Sequence, residues 1–124
     1  MTKEQLQTRS RLFASRVIRM AARFGRVTGA RNVADQLVDA ATSIGANYRS
    51  ACRARSRREF IAKLGVVVEE ADEAVHWLEL IREAGLGDRE VLAEIEAEAR
   101  ELRAIFAASL GTARRNFRDA SSRS

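Results

Sequence analysis

The sequence predicts an all-α protein, an antiparallel up-and-down four-helix bundle that assembles into a homo-oligomer. Its 124 residues include no proline and are enough for one domain that buries a core without disulfides. Long stretches carry apolar residues at alternating steps of three and four, the spacing of one helix face. Five of the seven glycines fall where these stretches end. We expect the bundle to occupy residues 1–112, and residues 113–124 to form a basic, disordered Ser/Arg-rich tail.

The first two helices are marked at their starts. Thr2 and Gln5 form a capping-box pattern, in which each side chain accepts a hydrogen bond from the other residue's free backbone N–H. This pattern predicts a helix over about 3–24, which a glycine ends. Asn32 is the expected N-cap of a second helix over about 33–53, whose first turn holds an acidic residue, as the helix dipole favours.

Two further helices follow. Ser56 and Glu59 form another capping-box pattern at the start of a helix over about 57–84. Asp88 is the expected N-cap of a fourth helix over about 89–110. Glycines follow both helices and predict their ends. Since the connections between the four helices are short, neighbouring helices are expected to be antiparallel.

The third helix carries more apolar residues than one face of a monomeric bundle needs. A second apolar stripe repeats every seven residues, and the fourth helix has two apolar residues, Val91 and Ile105, beside its main stripe. One interpretation is a wide buried face, and the other is a subunit interface. The candidate interface residues are Ile61, Val68, Val75, Trp77 and Ile105.

Charge is distributed unevenly along the chain. Residues 1–63 carry 12 Arg and two Lys against four acidic residues, a balance of +10, whereas residues 64–124 have a balance of −5. This asymmetry predicts either a polyanionic partner or self-association in which the two halves meet. Arginine outnumbers lysine 20 to two, an excess that a GC-rich genome also produces.

Seven arginines are the candidate nucleic-acid-binding residues. Four stand on one face of the first helix, at i, i+3, i+7 and i+10, and three lie at the end of the second helix and just beyond it. Guanidinium groups bind phosphate oxygens in bidentate fashion, so this row would follow an RNA or DNA backbone. A solvated helix face, or a role at subunit interfaces, is the alternative. The candidates are Arg16, Arg19, Arg23, Arg26, Arg49, Arg53 and Arg55.

The sequence contains no complete catalytic set or metal site. Glu73 and His76 have the Glu-x-x-His spacing of di-metal bundles, but such sites need the pair twice and the chain has one histidine. The single cysteine, Cys52, excludes an internal disulfide and fits a reducing compartment. No segment is apolar enough to span a bilayer. We expect a cytoplasmic, non-enzymatic protein with no metal, cofactor or membrane partner.

The sequence around the end of the second helix resembles a known family. Residues 43–49 read Ser-Ile-Gly-Ala-Asn-Tyr-Arg and residues 51–61 read Ala-Cys-Arg-Ala-Arg-Ser-Arg-Arg-Glu-Phe-Ile. Both resemble the four-helix-bundle proteins first noticed as reading frames inside intervening sequences of bacterial 23S rRNA genes, and the similarity extends over about residues 13–110. The residues of the pattern are Ser43, Asn47, Ser56, Glu59 and Phe60. Asn47, on the inner face of its helix, is expected to fix the register or to tie down a neighbouring turn.

The resemblance implies an up-and-down bundle that forms a ring-like homo-oligomer, a pentamer, without established enzymatic activity. The structurally related accessory proteins of diversity-generating retroelements use such a pentamer, with a basic surface, to engage nucleic acid and a reverse transcriptase. By this fold-level analogy, the expected partners are further copies of the chain and RNA or DNA. The alternative is a scaffold oligomer that binds a protein partner and uses its arginines between subunits.

Overall fold

Four α-helices account for most of residues 1–122, the part of the chain that the computed structural model describes. The helices are α1 (Lys3–Ala21), α2 (Ala30–Cys52), α3 (Arg57–Glu83) and α4 (Arg89–Ser122), and a short 3-10 helix, Ala22–Phe24, follows α1. Each helix contacts the next along the chain, and α1 also contacts α4, so the four helices enclose a common core. The predicted all-α fold with four helices is confirmed, and residues 1–122 contain no strand.

Side-chain pairs show that neighbouring helices are antiparallel. Arg103 of α4 donates a hydrogen bond to Asp72 of α3 at 2.8 Å. Arg82, later in α3, donates to Glu96, earlier in α4, at 3.1 Å. Because the later residue of α3 pairs with the earlier residue of α4, α3 and α4 run in opposite directions.

The apolar stripes predicted from the sequence lie inside the bundle. Each helix contributes a large side chain that is at most 1% exposed, namely Phe13, Leu37, Leu64 and Phe106. The ring centroid of Tyr48 lies 5.0 Å from that of Phe106, with the two planes tilted. Burying a large apolar side chain contributes about 1.5–3 kcal/mol, so a core of this kind stabilises the bundle without a disulfide or metal.

Arginine–carboxylate pairs join α1 to α4. The Nε of Arg9 donates to Glu98 at 2.7 Å and its Nη2 at 2.6 Å, and Nη2 also lies 3.0 Å from a carboxylate oxygen of Glu101. The hydrogen bonds to Glu98, and then those to Glu101, raise the pKa of Arg9 above its usual range. Arg16, two turns later, donates to Glu94 at 2.8 Å, which shows that α1 and α4 are also antiparallel.

Helix α2 begins earlier than predicted. Gly29, with φ at +87°, precedes its first residue, Ala30. The N–H of Val33 donates to the carbonyl of Gly29 at 3.0 Å, so helical hydrogen bonding is already established at Asn32. The predicted N-cap role of Asn32 is therefore wrong. Glycine takes this place because it adopts a positive φ without a steric penalty.

Helix α4 ends later than predicted. It continues through Gly111 to Ser122, whereas we expected its end near residue 110 and a disordered tail from residue 113. Gly111 is not among the glycines with positive φ, the conformation by which a glycine ends a helix. The segment that follows has neither proline nor a second glycine, so nothing in it interrupts the hydrogen-bond ladder. The last part of the predicted tail, residues 123–124, lies outside the described residues.

The second apolar stripe of α3 belongs largely to the core of the four-helix bundle. Val75 is 1% exposed, so its predicted place at a subunit interface is wrong. The other candidates, Ile61, Val68, Trp77 and Ile105, are half-buried and pack against the core. The reason is that α3 contacts both α2 and α4 and needs an apolar surface toward each.

Among residues 1–122, no helix is both long enough and apolar enough to cross a membrane.

Candidate nucleic-acid interface

The four candidate arginines of α1 and the turn after it do not form one exposed row. Arg16 is directed toward α4, where its guanidinium pairs with the carboxylate of Glu94. Arg19, Arg23 and Arg26 are exposed, and none forms an ion pair with another residue in the range 1–122. The pairing of Arg16 with Glu94 removes it from the predicted phosphate-binding face.

The remaining candidates lie toward the other end of the bundle. Gly45 of α2 packs beside Ser10 of α1, and this contact shows how the two antiparallel helices are aligned along the bundle axis. With a rise of 1.5 Å per residue, Arg19 and Arg49 are separated by about 20 Å along the bundle axis. The seven predicted arginines therefore form two separate groups and not a single surface.

Arg49, Arg53 and Arg55 border one hollow of about 320 Å³ between the end of α2 and the start of α3. Lys63 also borders it, and Glu59 supplies the one carboxylate among its lining residues. The Lys63 ammonium lies 3.2 Å from Glu59, whereas the three guanidinium groups form no ion pair with any described residue. The structure thus brings these three predicted residues together around a strongly cationic hollow.

A capping arrangement fixes the turn that carries these arginines. The Ser56 hydroxyl accepts a hydrogen bond from the N–H of Glu59 at 3.1 Å, which confirms Ser56 as N-cap. The Glu59 carboxylate accepts from the N–H of Arg55 at 3.1 Å, one residue before the N–H that a capping box uses, which corrects that half of the prediction. The carboxylate is also directed toward Lys63, one turn later. The hydrogen bond from Arg55, and then Lys63, lower the pKa of Glu59 below its ordinary value.

The C-terminal part of α4 brings further arginines to the same end of the bundle. Asp72 of α3 is level with Arg103 of α4. Arg57 lies fifteen residues before Asp72 in α3, and Arg118 lies fifteen residues after Arg103 in α4. Since the two helices are antiparallel, these two arginines lie at about the same position along the bundle axis. We call this region the basic end and define it by its exposed arginines: Arg49, Arg53, Arg55, Arg57, Arg58, Arg114, Arg115 and Arg118.

Sequence reasoning missed the α4 members of the basic end because it assigned them to a disordered tail. The available signal was the absence of proline and glycine after Gly111, which permits the helix to continue. Three carboxylates, those of Glu4, Glu59 and Asp119, lie in the segments that form this end. Eight arginines against three acids leave the basic end with a large local excess of positive charge.

The other residues of the family-like pattern have structural roles. The side-chain amide of Asn47 donates to the carbonyl of Ser43, one turn earlier, at 2.9 Å, and both residues are half-buried. Asn47 therefore ties down the preceding turn of its own helix and does not set the register between helices. Phe60 is half-buried, and the Lys3 ammonium lies 5.6 Å from its ring centroid, so the start of α1 packs beside the start of α3.

The aromatic residues at the basic end are buried or half-buried: Tyr48 is buried, and Phe60 and Phe117 are half-buried. Tyr48, the aromatic residue closest in sequence to Arg49, is 5% exposed and packs into the core. Burial, and then a hydrogen bond with Cys52, raise the pKa of its hydroxyl. Base stacking needs an accessible aromatic face. This surface therefore presents many more guanidinium groups for phosphate contact than aromatic faces for base stacking.

Comparisons with known proteins assign the chain to a family. The model of the 23S rRNA-intervening sequence protein family matches residues 3–108. The chain belongs to this family. A crystal structure of a protein of unknown function from the S23 ribosomal protein family of Bacteroides thetaiotaomicron VPI-5482 has a TM-score of 0.77 and 29% sequence identity, and the match covers 90% of this chain and 99% of that one. No curated protein shows significant similarity to the chain.

Nothing in this 23S rRNA-intervening sequence family member points to catalysis. Glu73 and His76 are both exposed on α3. Within residues 1–122, no three His, Cys, Asp or Glu side chains gather as metal ligands. The Bacteroides protein is itself described as having unknown function. The basic end is therefore the feature on which a functional proposal can be built.

Proposed function

We propose that this protein is a non-enzymatic nucleic-acid-binding module that holds the phosphate backbone of RNA or DNA at its basic end. The proposal rests on the exposed arginines of the basic end, which form no ion pair within residues 1–122; three of them border one hollow. Guanidinium groups bind phosphate oxygens through paired, charge-assisted hydrogen bonds. A carboxylate-poor hollow leaves those donors available to a polyanion.

The chemistry of this surface supports binding with little sequence preference. Sequence is read through base edges or through stacking, and phosphate contacts alone position a nucleic acid without reading it. The arginines of the basic end are exposed, and the nearby Tyr48 ring is buried. Binding that depends on phosphate contacts releases counterions, so affinity falls steeply as salt concentration rises.

The test is fluorescence anisotropy with a labelled duplex DNA and a labelled single-stranded RNA, both of mixed sequence, over about 50–200 mM salt. The double variant Arg49→Gln/Arg53→Gln removes two phosphate contacts. This variant should weaken binding at least tenfold. On duplex DNA, the plot of log affinity against log salt concentration should become shallower by about two, since each phosphate contact contributes about 0.9 to its slope. Glutamine keeps the side chain polar, so circular dichroism should show an unchanged helix content.

The matched control is Arg23→Gln/Arg26→Gln, which removes the same charge from exposed positions at the other end of the bundle. We expect its affinity to remain within about twofold of the wild type, since long-range effects are screened beyond a Debye length of about 10 Å. Equal losses in both double variants would show that the arginines following α1 bind as well, as the sequence predicted, and would overturn the restriction to the basic end. A wild-type protein that binds neither probe at low salt refutes the proposal.

We further propose that the protein self-associates through a groove between α1 and α2. Leu12 and Ile18 are 61% and 47% exposed, and they line this groove with the small residues Gly45 and Ala46 of α2. A groove with a floor of small residues admits the side chains of another helix. Exposed apolar surface of this kind is typical of interaction sites.

A second copy of the chain is the occupant that the charges favour. The groove also contains Arg11 and Arg19, whereas an exposed face of α3 carries Val66 and Leu80 together with the acidic residues Glu69 and Glu73. The contact would join different surfaces on two subunits, and such heterologous contacts close into rings. Several copies of the basic end would then act together on one nucleic acid.

Light scattering tests the self-association. We expect a mass above that of the monomer at micromolar concentration, and Leu12→Glu should lower it because a carboxylate would enter the apolar groove. A monomer mass for the wild type overturns the self-association but not the nucleic-acid proposal. In the competing scaffold interpretation, the oligomer forms but its arginines pair only with neighbouring subunits, so neither labelled nucleic acid would bind.

A further inference from the structure

We infer that a pocket at the end of the bundle opposite the basic end binds a small organic acid with an apolar tail. The pocket lies between the end of α1 and the start of α4 and has a volume of about 410 Å³. Small-molecule sites typically have volumes of roughly 300–1,000 Å³ and are mostly apolar, with a few polar groups that orient the ligand. Apolar side chains make up most of the lining, and they include Met20, Phe24, Leu86, Val91 and Ile95.

Two loops of the fold form this pocket together. The ring of Phe24, at the end of the 3-10 helix, approaches Gly87 in the connection between α3 and α4, where an added Cβ would lie 3.1 Å from the ring. Gly87 has a φ of +77°, a conformation that favours glycine. The close approach brings Leu86 and Phe24 to the same cavity. The pocket is therefore a product of the chain connections and not of helix packing alone.

One wall of the pocket is cationic. Arg16, Arg19 and Arg23 lie along it. The guanidinium of Arg16 is paired with Glu94, whereas Arg19 donates only to the Ser15 hydroxyl, at 3.0 Å, and Arg23 has no hydrogen bond or ion pair among residues 1–122. Two guanidinium groups beside an apolar cavity therefore have donors available for an anionic head group.

The other polar groups at the pocket do not cancel this charge. Asp88 contributes the one carboxylate of the lining, and it already accepts hydrogen bonds from the N–H groups of Glu90 and Val91 at 2.9 and 3.1 Å. The N-terminus of α2 also lies here, at Ala30, with no side-chain cap. The partial positive charge of an uncapped helix N-terminus favours an anion.

These features define the class of ligand by its two parts. The apolar lining requires a hydrocarbon tail or ring, and the arginine wall requires a carboxylate or phosphate monoester. A ligand with only the apolar part or only the anionic part would contact only a portion of the pocket lining. This site is independent of the proposed nucleic-acid surface, which lies about 20 Å or more away along the bundle axis.

Nuclear magnetic resonance titrations can test both requirements with simple probes. Octanoate should shift the methyl resonances of Val91 and Leu86 and bind with a Kd of about 1 mM or below. Octanol has the tail without the charge, and acetate has the charge without the tail, so each should bind at least tenfold more weakly. Octyl phosphate tests whether the wall accepts a phosphate in place of a carboxylate.

Two variants examine the two walls of the pocket separately. Arg19→Gln/Arg23→Gln should weaken octanoate at least tenfold and leave octanol unchanged. Val91→Asn, at a partly exposed helical position, should weaken octanoate and octanol alike. The control is Arg49→Gln/Arg53→Gln, which should bind octanoate as the wild type does. Absence of octanoate binding, or equal binding of octanoate to the Arg19→Gln/Arg23→Gln variant and the wild type, would overturn the inference, whatever the outcome for nucleic acid.

Discussion

Replacing Arg9 with methionine should weaken the subunit more than loss of any other single salt bridge in residues 1–122. Arg9 makes two charge-assisted hydrogen bonds to Glu98, at 2.7 and 2.6 Å, and a third contact to Glu101 at 3.0 Å. The side chains of Arg9 and Glu98 are each only 22% exposed. Arg9→Met keeps the apolar stem that packs between α1 and α4 and removes the charge.

The expected loss lies between two limits. A net hydrogen bond to a charged group contributes about 1.5–3 kcal/mol, whereas a fully exposed ion pair contributes about 0.2–1 kcal/mol. Partial exposure screens the pair, and Glu98 is left without its partner, so we expect Arg9→Met to lower the free energy of unfolding by about 1.5 kcal/mol. Since the neighbouring carboxylates raise the pKa of Arg9, the guanidinium stays charged throughout the ordinary pH range.

Urea denaturation at fixed protein concentration measures this loss, because self-association would otherwise make stability depend on concentration. The matched control is Arg103→Met, which removes one contact of 2.8 Å to Asp72, a carboxylate that is 68% exposed. The control should cost about 0.5 kcal/mol or less. A double-mutant cycle with Glu98→Gln should give a coupling energy of about 1 kcal/mol or more. If Arg9→Met costs no more than Arg103→Met, the argument from burial and geometry is wrong.

Two other predictions concern the ends of the helices. Gly111→Ala should raise the free energy of unfolding by about 0.5–1 kcal/mol, because alanine is the better helix former. The added Cβ would approach only the flexible end of Arg115. An unchanged free energy of unfolding would indicate that the helix stops before this residue. Since the pKa of Glu59 is lower in the folded protein than in the unfolded chain, its charge stabilises the fold above the ordinary carboxyl pKa, and this contribution is lost as pH falls through the folded pKa. The wild type should therefore unfold at a higher temperature than Glu59→Gln at about pH 7, and the difference should shrink toward about pH 3; a difference that is constant with pH would contradict the assignment.

The fold could be predicted well from the sequence because the signals were local and repeated. Apolar spacing located all four helices, and Thr2, Ser56 and Asp88 are observed as caps. The predictions were wrong at residues whose type occurs in two different structural roles. Asn32 is a good N-cap residue, but Gly29 starts the helix earlier by taking a positive φ. Gly111 is a common stop residue, but it lies in the helix with an ordinary φ.

The candidate site was harder to predict because it depends on which helices are neighbours. Spacing placed Arg16 and Arg19 on one helix face, but it could not show that α4 presents Glu94 to the first of them. Likewise, the grouping of Arg49 with the α4 arginines requires the register between α3 and α4. Val75 shows the same limit for apolar residues: its spacing suggested an outer stripe, whereas contact of α3 with two helices buries it.

The charge imbalance between the two halves of the sequence is reduced within the folded chain. The arginine-rich α1 packs against the glutamate-rich α4, so Arg9 and Arg16 are neutralised by Glu98 and Glu94 and are not available to a partner. The positive charge that remains without a partner is concentrated toward the two ends of the bundle. A nucleic acid responds to charge within a Debye length of about 8–10 Å, so the density of arginines at the basic end matters more than the balance of either half. The opposite end has fewer unpaired arginines beside an apolar pocket, an arrangement that suits a small amphiphilic acid better than an extended polyanion.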